Sequence, residues 1–132
     1  MIGLDTNVIV RYLTQDDPKQ SPIATRFLES TLSADEPGFI SLVVLAEVVW
    51  VLVSLYSVDR AGVAEVLLKL LSTEQLRVES TELAWRAKRR FERSKAQFSD
   101  ALIMECAIAA GCERSVTFDR TAAASIGFDL MS

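Results

Sequence analysis

Apolar positions along the chain fall into short blocks and longer periodic stretches, and the two alternate. Met1 to Leu4, Phe39-Ile40, Leu76 to Val78, Ser115 to Phe118 and Phe128 to Leu130 are brief, nearly unbroken apolar runs that read as buried strands. Between them the spacing turns helical. Thr6 to Leu13 is one such stretch, and Ser21-Pro22 reads as a start, with Ser as N-cap and Pro at the first helical position, before Ile23, Phe27 and Leu28. Ser41 is positioned to cap a helix running to about Leu55, and Asp59 another carrying Val63, Val66, Leu67, Leu70 and Leu71 on one face. Ser80 is the expected cap of a charged helix reaching Ser94, and Ser99 to Ala110 forms a further helix ended by Gly111. Gln15 to Pro18 and Glu36-Pro37-Gly38 are polar breaks. Strands separated by helices predict an α/β fold: a short, mostly parallel central sheet of about four or five strands, flanked by helices on both faces.

The chain has 132 residues, which predicts a single domain over residues 1–132. Half of the residues are hydrophobic, so disorder is excluded. The net charge of −4 excludes a uniformly basic nucleic-acid coat, so any polyanion must meet a local patch or a bound cation. Histidine is absent, which removes Ser-His-Asp and Cys-His catalysis and histidine-ligated zinc. Cys106 and Cys112 make neither a four-ligand zinc site nor a CxxC pair, and read as two reduced thiols. Met1 leads directly into a strand without a basic leader, and the longest apolar run, Leu42 to Val53, is too short for a bilayer and contains Glu47. The expectation is a soluble, cytoplasmic protein with no membrane partner.

Four carboxylates stand in apolar surroundings. Asp5 and Asp119 each follow a strand, at the carboxyl end where parallel α/β sheets bind ligands. Glu47 is the only charge between Gly38 and Asp59, with Val43, Val44, Trp50 and Val51 three and four positions away, where a carboxylate is costly unless paired or bound to metal. Asp100 lies in the first turn of its helix, on a face shared with Met104 and Ala107. Each also has a plain structural reading: Asp5 and Asp119 as caps or turn residues, Asp100 as a helix-dipole partner, Glu47 as a surface or arginine-paired charge. If they converge, repulsion of roughly 3 kcal/mol per pair at ~5 Å and an effective dielectric of ~20 calls for shared protons or a divalent cation. All-oxygen ligands point to Mg²⁺ or Mn²⁺, an ion that can activate water at a phosphate without histidine.

These same segments carry a family resemblance. Ile2-Gly3-Leu4-Asp5-Thr6-Asn7-Val8, Ile40 to Glu47, Phe98 to Ile103 and Val116-Thr117-Phe118-Asp119-Arg120 resemble, in this order, the PIN-domain ribonucleases, specifically the VapC-type toxins of toxin–antitoxin pairs. The resemblance covers nearly the whole chain. It implies a PIN-like fold and a metal-dependent endoribonuclease that hydrolyses RNA through a metal-activated water, with Asp5, Glu47, Asp100 and Asp119 as the catalytic and metal-binding set. Thr6, Asn7 and Thr117 would support the acids or touch substrate. It also implies a homodimer silenced by a cognate antitoxin, with operator DNA reached only through that antitoxin. One departure is Thr121-Ala122-Ala123-Ala124, where relatives often carry charges after the last acid.

Arg86, Arg89, Arg90 and Arg93 recur at i, i+3, i+4 and i+7 beside the apolar face of Leu83, Ala87 and Phe91. They form a stripe that could bind RNA, bind antitoxin, or stand as a solvated helix face with Glu82 paired to Arg86. The positive mean hydropathy of +0.25 suggests a partner surface, with the helices around Ile23 to Leu32 and Val63 to Leu71 as candidates. Other readings are disfavoured or left open. Haloacid-dehalogenase-like phosphatases need Asp-x-Asp where this chain has Asp5-Thr6-Asn7, and response-regulator receivers need a late lysine, whereas the last here is Lys95. A non-catalytic α/β binding module and a nuclease acting on DNA remain the alternatives.

Overall fold

A computed structural model describes residues 1–132. The chain divides into two compact units, Met1–Thr81 and Glu82–Ser132.

The first unit is built on a three-stranded parallel sheet in the order β1 (Ile2–Gly3), β2 (Gly38–Ile40), β3 (Leu76–Val78). Ile2 pairs with Gly38, and Phe39 with Arg77. Parallel neighbours need crossovers, and each crossover here carries two helices. From β1 to β2 run α1 (Thr6–Thr14) and α2 (Gln20–Arg26), the latter continuing into a π-helical turn at Phe27–Thr31. From β2 to β3 run α3 (Leu42–Tyr56) and α4 (Arg60–Ser72). Ile9, Leu28, Ile40, Leu45, Val48, Val63, Leu67 and Leu70 make the fully buried core. Gly38 is required where it stands. A Cβ there would meet the side chains of Leu4 and Leu32 at 2.8 Å, and both leucines are buried.

The second unit holds α5 (Thr81–Glu92, beginning at the boundary), α6 (Phe98–Ala109), β4 (Val116–Thr117), α7 (Arg120–Ile126) and β5 (Asp129–Leu130). β4 and β5 pair in parallel across α7. Phe91 and Phe98 meet edge to face with centroids 6.0 Å apart, while Ala96, Met104, Ala122, Ile126 and Phe128 form a second buried cluster. The alanine run after Asp119 is therefore the start of a packed helix. Ala122 must be small because it is buried, and Gly127 ends α7 with φ 92°, a left-handed turn that suits glycine.

The α/β class and the parallel pairing agree with the sequence reading. The single central sheet does not form as one hydrogen-bonded ladder: three strands belong to one sheet and two to another. Strands of two or three residues offer too few ladder bonds to recruit further neighbours. Ser41 and Asp59 cap α3 and α4 as expected, accepting from Val44 N (3.1 Å) and Gly62 N (2.8 Å).

Two caps differ. Helix α2 begins before Ser21, because the Asp17 carboxylate accepts from the backbone N–H groups of Lys19 (2.9 Å) and Gln20 (2.7 Å). Ser21 is buried instead, donating to the Arg11 carbonyl at 2.8 Å. Ser80 sits at φ 48°, left-handed rather than in the extended conformation of an N-cap. The cysteines are free, and no helix is long and apolar enough to cross a membrane.

Candidate functional site

In the first unit the site follows from strand order. β1 and β2 are parallel neighbours, so the helices that leave their carboxyl ends, α1 and α3, start at the same edge of the sheet. Asp5 occupies that edge after β1. It is exposed and caps α1, with Oδ1 accepting from Thr6 N at 2.8 Å. Glu47 lies in the second turn of α3. The buried Thr6 hydroxyl donates to Glu47 Oε1 at 3.4 Å, so Thr6 joins the two acids, backbone to one and side chain to the other.

Glu47 is exposed and forms no ion pair, so of its plain structural readings the structure shows the surface one. Helix α3 is apolar on both sides, but only Leu45, Val48, Val49 and Leu52 face the core, while Val43, Trp50, Val53 and Leu55 are open. Glu47 belongs to the open side, where hydration removes any burial penalty. Asn7 is also exposed and makes no bond to either acid. It forms part of the wall of a hollow of about 520 Å³ with Val8, Ile23 and Phe27.

In the second unit, Asp100 is half-buried in the first turn of α6 and accepts from Gln97 N through Oδ2 at 3.1 Å. Asp119 is exposed at the carboxyl end of β4 and caps α7, with Oδ1 accepting from Ala122 N at 3.0 Å. The Thr117 hydroxyl accepts from Asp119 N at 3.0 Å and so fixes the backbone that carries this acid. Three of the four acids thus sit at helix N-termini, where the helix dipole favours a negative charge. The capping and the functional readings are compatible. A cap uses one carboxylate oxygen and leaves the other uncommitted.

No cation is paired with any of these four acids, a property they share with other carboxylates such as Glu74, Glu79 and Glu113. Asp16, Asp17, Glu36, Glu82, Glu92, Glu105 and Asp129 all pair with cations. Within neither unit do three carboxylates gather into a ready-made metal cage. The structure brings Asp5 and Glu47 together around Thr6, and holds Asp100 and Asp119 separately, each at its own helix start. Unpaired, all-oxygen donors are the kind of set that a hard divalent cation accepts.

The arginine stripe is a concave feature. Arg86, Arg89, Arg90 and Arg93 line one hollow of about 430 Å³ with Ser94, Glu105, Ser125 and Ile126. Glu105 is the residue that sequence reading missed. It is buried in α6, with Oε2 2.7 Å from Arg90 Nε and Oε1 3.5 Å from Arg86 Nε. Arg90 also donates to the Ile126 carbonyl at 3.3 Å. The signal was present: Glu105 is the only charge between Asp100 and Glu113, set among Ala101, Leu102, Met104 and Ile108. Glu82 pairs with Arg86 at 3.5 Å, as the spacing suggested.

A comparison with protein families matches residues 2–126 to the PIN domain. The chain belongs to the PIN-domain family. That fold is of nuclease type and generally metal-dependent, which places the protein among the hydrolases in class. A comparison with curated proteins finds no match.

Proposed function

We propose that this protein is a Mg²⁺- or Mn²⁺-dependent endoribonuclease, the toxin of a toxin–antitoxin pair, with Asp5, Glu47, Asp100 and Asp119 as its metal-binding and catalytic carboxylates. The observation that carries the reading is the PIN-domain match over residues 2–126 together with Asp5 and Glu47 joined through Thr6 at one sheet edge, neither of them ion-paired. A divalent ion, when bound, supplies the charge that lowers the pKa of water and neutralises charge on a phosphate under attack.

The chain's own residues prepare for that chemistry. The backbone of α1 holds Asp5 through one oxygen, the Thr6 hydroxyl aims Glu47, Gln97 N orients Asp100, and Thr117 fixes Asp119. RNA is the substrate in this reading, a cognate antitoxin its inhibitor, and operator DNA is met only through the antitoxin. The working form is a homodimer. Its support is the exposed apolar surface, which includes Ile23 of α2 and Leu68 of α4, in the two helices that the sequence suggested, and is widest on α3. Val63, Leu67 and Leu70 of α4 are core, as is Leu28 after α2, whereas Val43, Trp50 and Leu55 of α3 are 72%, 62% and 69% exposed.

The test is Asp5→Asn. Asparagine caps helices as well as aspartate, so the thermal midpoint should stay level or rise. RNA cleavage should fall at least about 100-fold, the equivalent of losing about 3 kcal/mol of electrostatic stabilisation. A variant that continues to cut at the wild-type rate contradicts the assignment.

A further inference from the structure

Charge is unevenly divided along the chain. Residues 1–81 hold six basic and eleven acidic residues, a net of −5, while residues 82–132 hold eight basic and seven acidic ones, a net of +1. The basic residues of the second unit are also clustered. The hollow lined by Arg86, Arg89, Arg90 and Arg93 adjoins a second of about 740 Å³, and the two share Arg93, Ser94 and Ser125. The second hollow adds Lys95 and Arg120, and Arg120 directly follows Asp119. Glu92 also lines it but is engaged by Lys88 at 3.0 Å.

Glu105 sorts the arginines. It holds Arg90 and Arg86, and Arg90 is further tied to the Ile126 carbonyl. Arg89 and Arg93 are exposed and have no carboxylate partner, and Lys95 and Arg120 likewise form no ion pair. From Arg86 to Glu92 the helix rises about 9 Å, and Arg93 follows directly on its end. Fixed guanidiniums beside unpaired ones, in a continuous concave surface, suit a chain of phosphates better than a solvated helix face does. Arginine's planar fork binds phosphate oxygens in pairs.

We infer that the two joined hollows form a phosphate track for a single polynucleotide strand, running from Arg86 past Arg93 to Arg120 and ending beside Asp119. Arg89 and Arg93 are its main phosphate contacts, and Glu105 is a positioning residue that sets Arg86 and Arg90. The track reads phosphates and not the sugar, so RNA and DNA strands bind alike. This inference rests on the nuclease reading for its substrate class, but not on the identity of the metal-binding acids.

The test is equilibrium binding of a labelled single-stranded RNA, and of the DNA of the same sequence, to the full chain in EDTA, measured against salt. Each phosphate contact contributes about 0.7 to the slope of log affinity on log salt. The double variant Arg89→Ala/Arg93→Ala should therefore lose about 1.4 from the slope and bind roughly tenfold more weakly at low salt. Arg120→Ala should lose about half as much slope. Arg114→Ala, in the same unit but outside both hollows and paired with Asp129, should leave the slope unchanged. All four arginines are exposed, so folding should be preserved.

An unchanged slope in the double variant overturns the track, as does an equal loss in Arg114→Ala, which would reduce the effect to bulk charge. Wild type that binds an acidic peptide but neither oligonucleotide also overturns it, in favour of protein docking. Mn²⁺ binding and RNA cleavage measured on the same preparations separate the two readings. Cleavage by wild type with an unchanged slope in the double variant sinks the track alone. A reduced slope without cleavage by wild type keeps the track and sinks the nuclease.

Discussion

Thr6 is the residue on which half of the candidate site turns. Its amide is held by Asp5 and its buried hydroxyl reaches Glu47, so one side chain couples the end of β1 to the second turn of α3. Thr6→Val keeps the shape and removes the hydroxyl. Glu47 is solvated, so stability should change by less than about 0.5 kcal/mol in denaturant unfolding. Divalent-metal affinity should fall about 10- to 100-fold, because groups that orient metal ligands typically have effects of that size. An unchanged Mn²⁺ isotherm would remove Thr6 from the site. The placement of three of the four candidate acids was legible from chain position alone: Asp5, Asp100 and Asp119 stand at helix starts, where a carboxylate can cap and can also face a ligand. Glu47 stands out in the sequence for its apolar neighbours, but those that face the core are on the other side of α3 and the carboxylate itself is exposed. Glu105, the charge that is buried, was passed over because the arginines that neutralise it lie far away in sequence.

At the scale of elements, the joint between α1 and α2 shows how local polar chemistry set boundaries that patterning placed wrongly. The serine-proline pair looked like a helix start, but the Asp17 carboxylate takes the first free N–H groups and moves the start forward. Beside it, Asp16 accepts from the Thr14 hydroxyl at 2.8 Å and the Tyr56 hydroxyl at 2.8 Å. These bonds, that from Thr14 first, hold the Asp16 carboxyl below its ordinary value. A depressed folded-state pKa stabilises the fold above the ordinary carboxylate range, and this contribution is lost as pH falls through the folded value. Tyr56→Phe should therefore move Asp16 upward in a carbon-detected NMR titration and shift the acid unfolding limb to higher pH. No movement of Asp16 would refute the bond. Helix types and the parallel strand order were readable because apolar periodicity decides them. The split into three and two strands was not, since ladder pairing depends on backbone positions that a pattern of two or three residues does not encode.

For the whole molecule, the opposing charges of the two units and the open side of α3 are the features with consequences for partners. A homodimer that covers Trp50 should lose its association in Trp50→Glu, read as a halved mass in light scattering. A wild-type protein that stays monomeric at high concentration would rule the homodimer out. The family was legible because four short segments, from β1 to the start of α7, keep their order across the chain. The most direct test of the central claim is calorimetric binding of Mn²⁺ to wild type and Asp100→Asn, with RNA cleavage followed on the same samples. Metal binding and cleavage should both be present in wild type and both be lost in the variant. Cleavage that persists in Asp100→Asn, or a wild type that neither binds Mn²⁺ nor cuts RNA, would contradict a carboxylate-held metal as the source of activity.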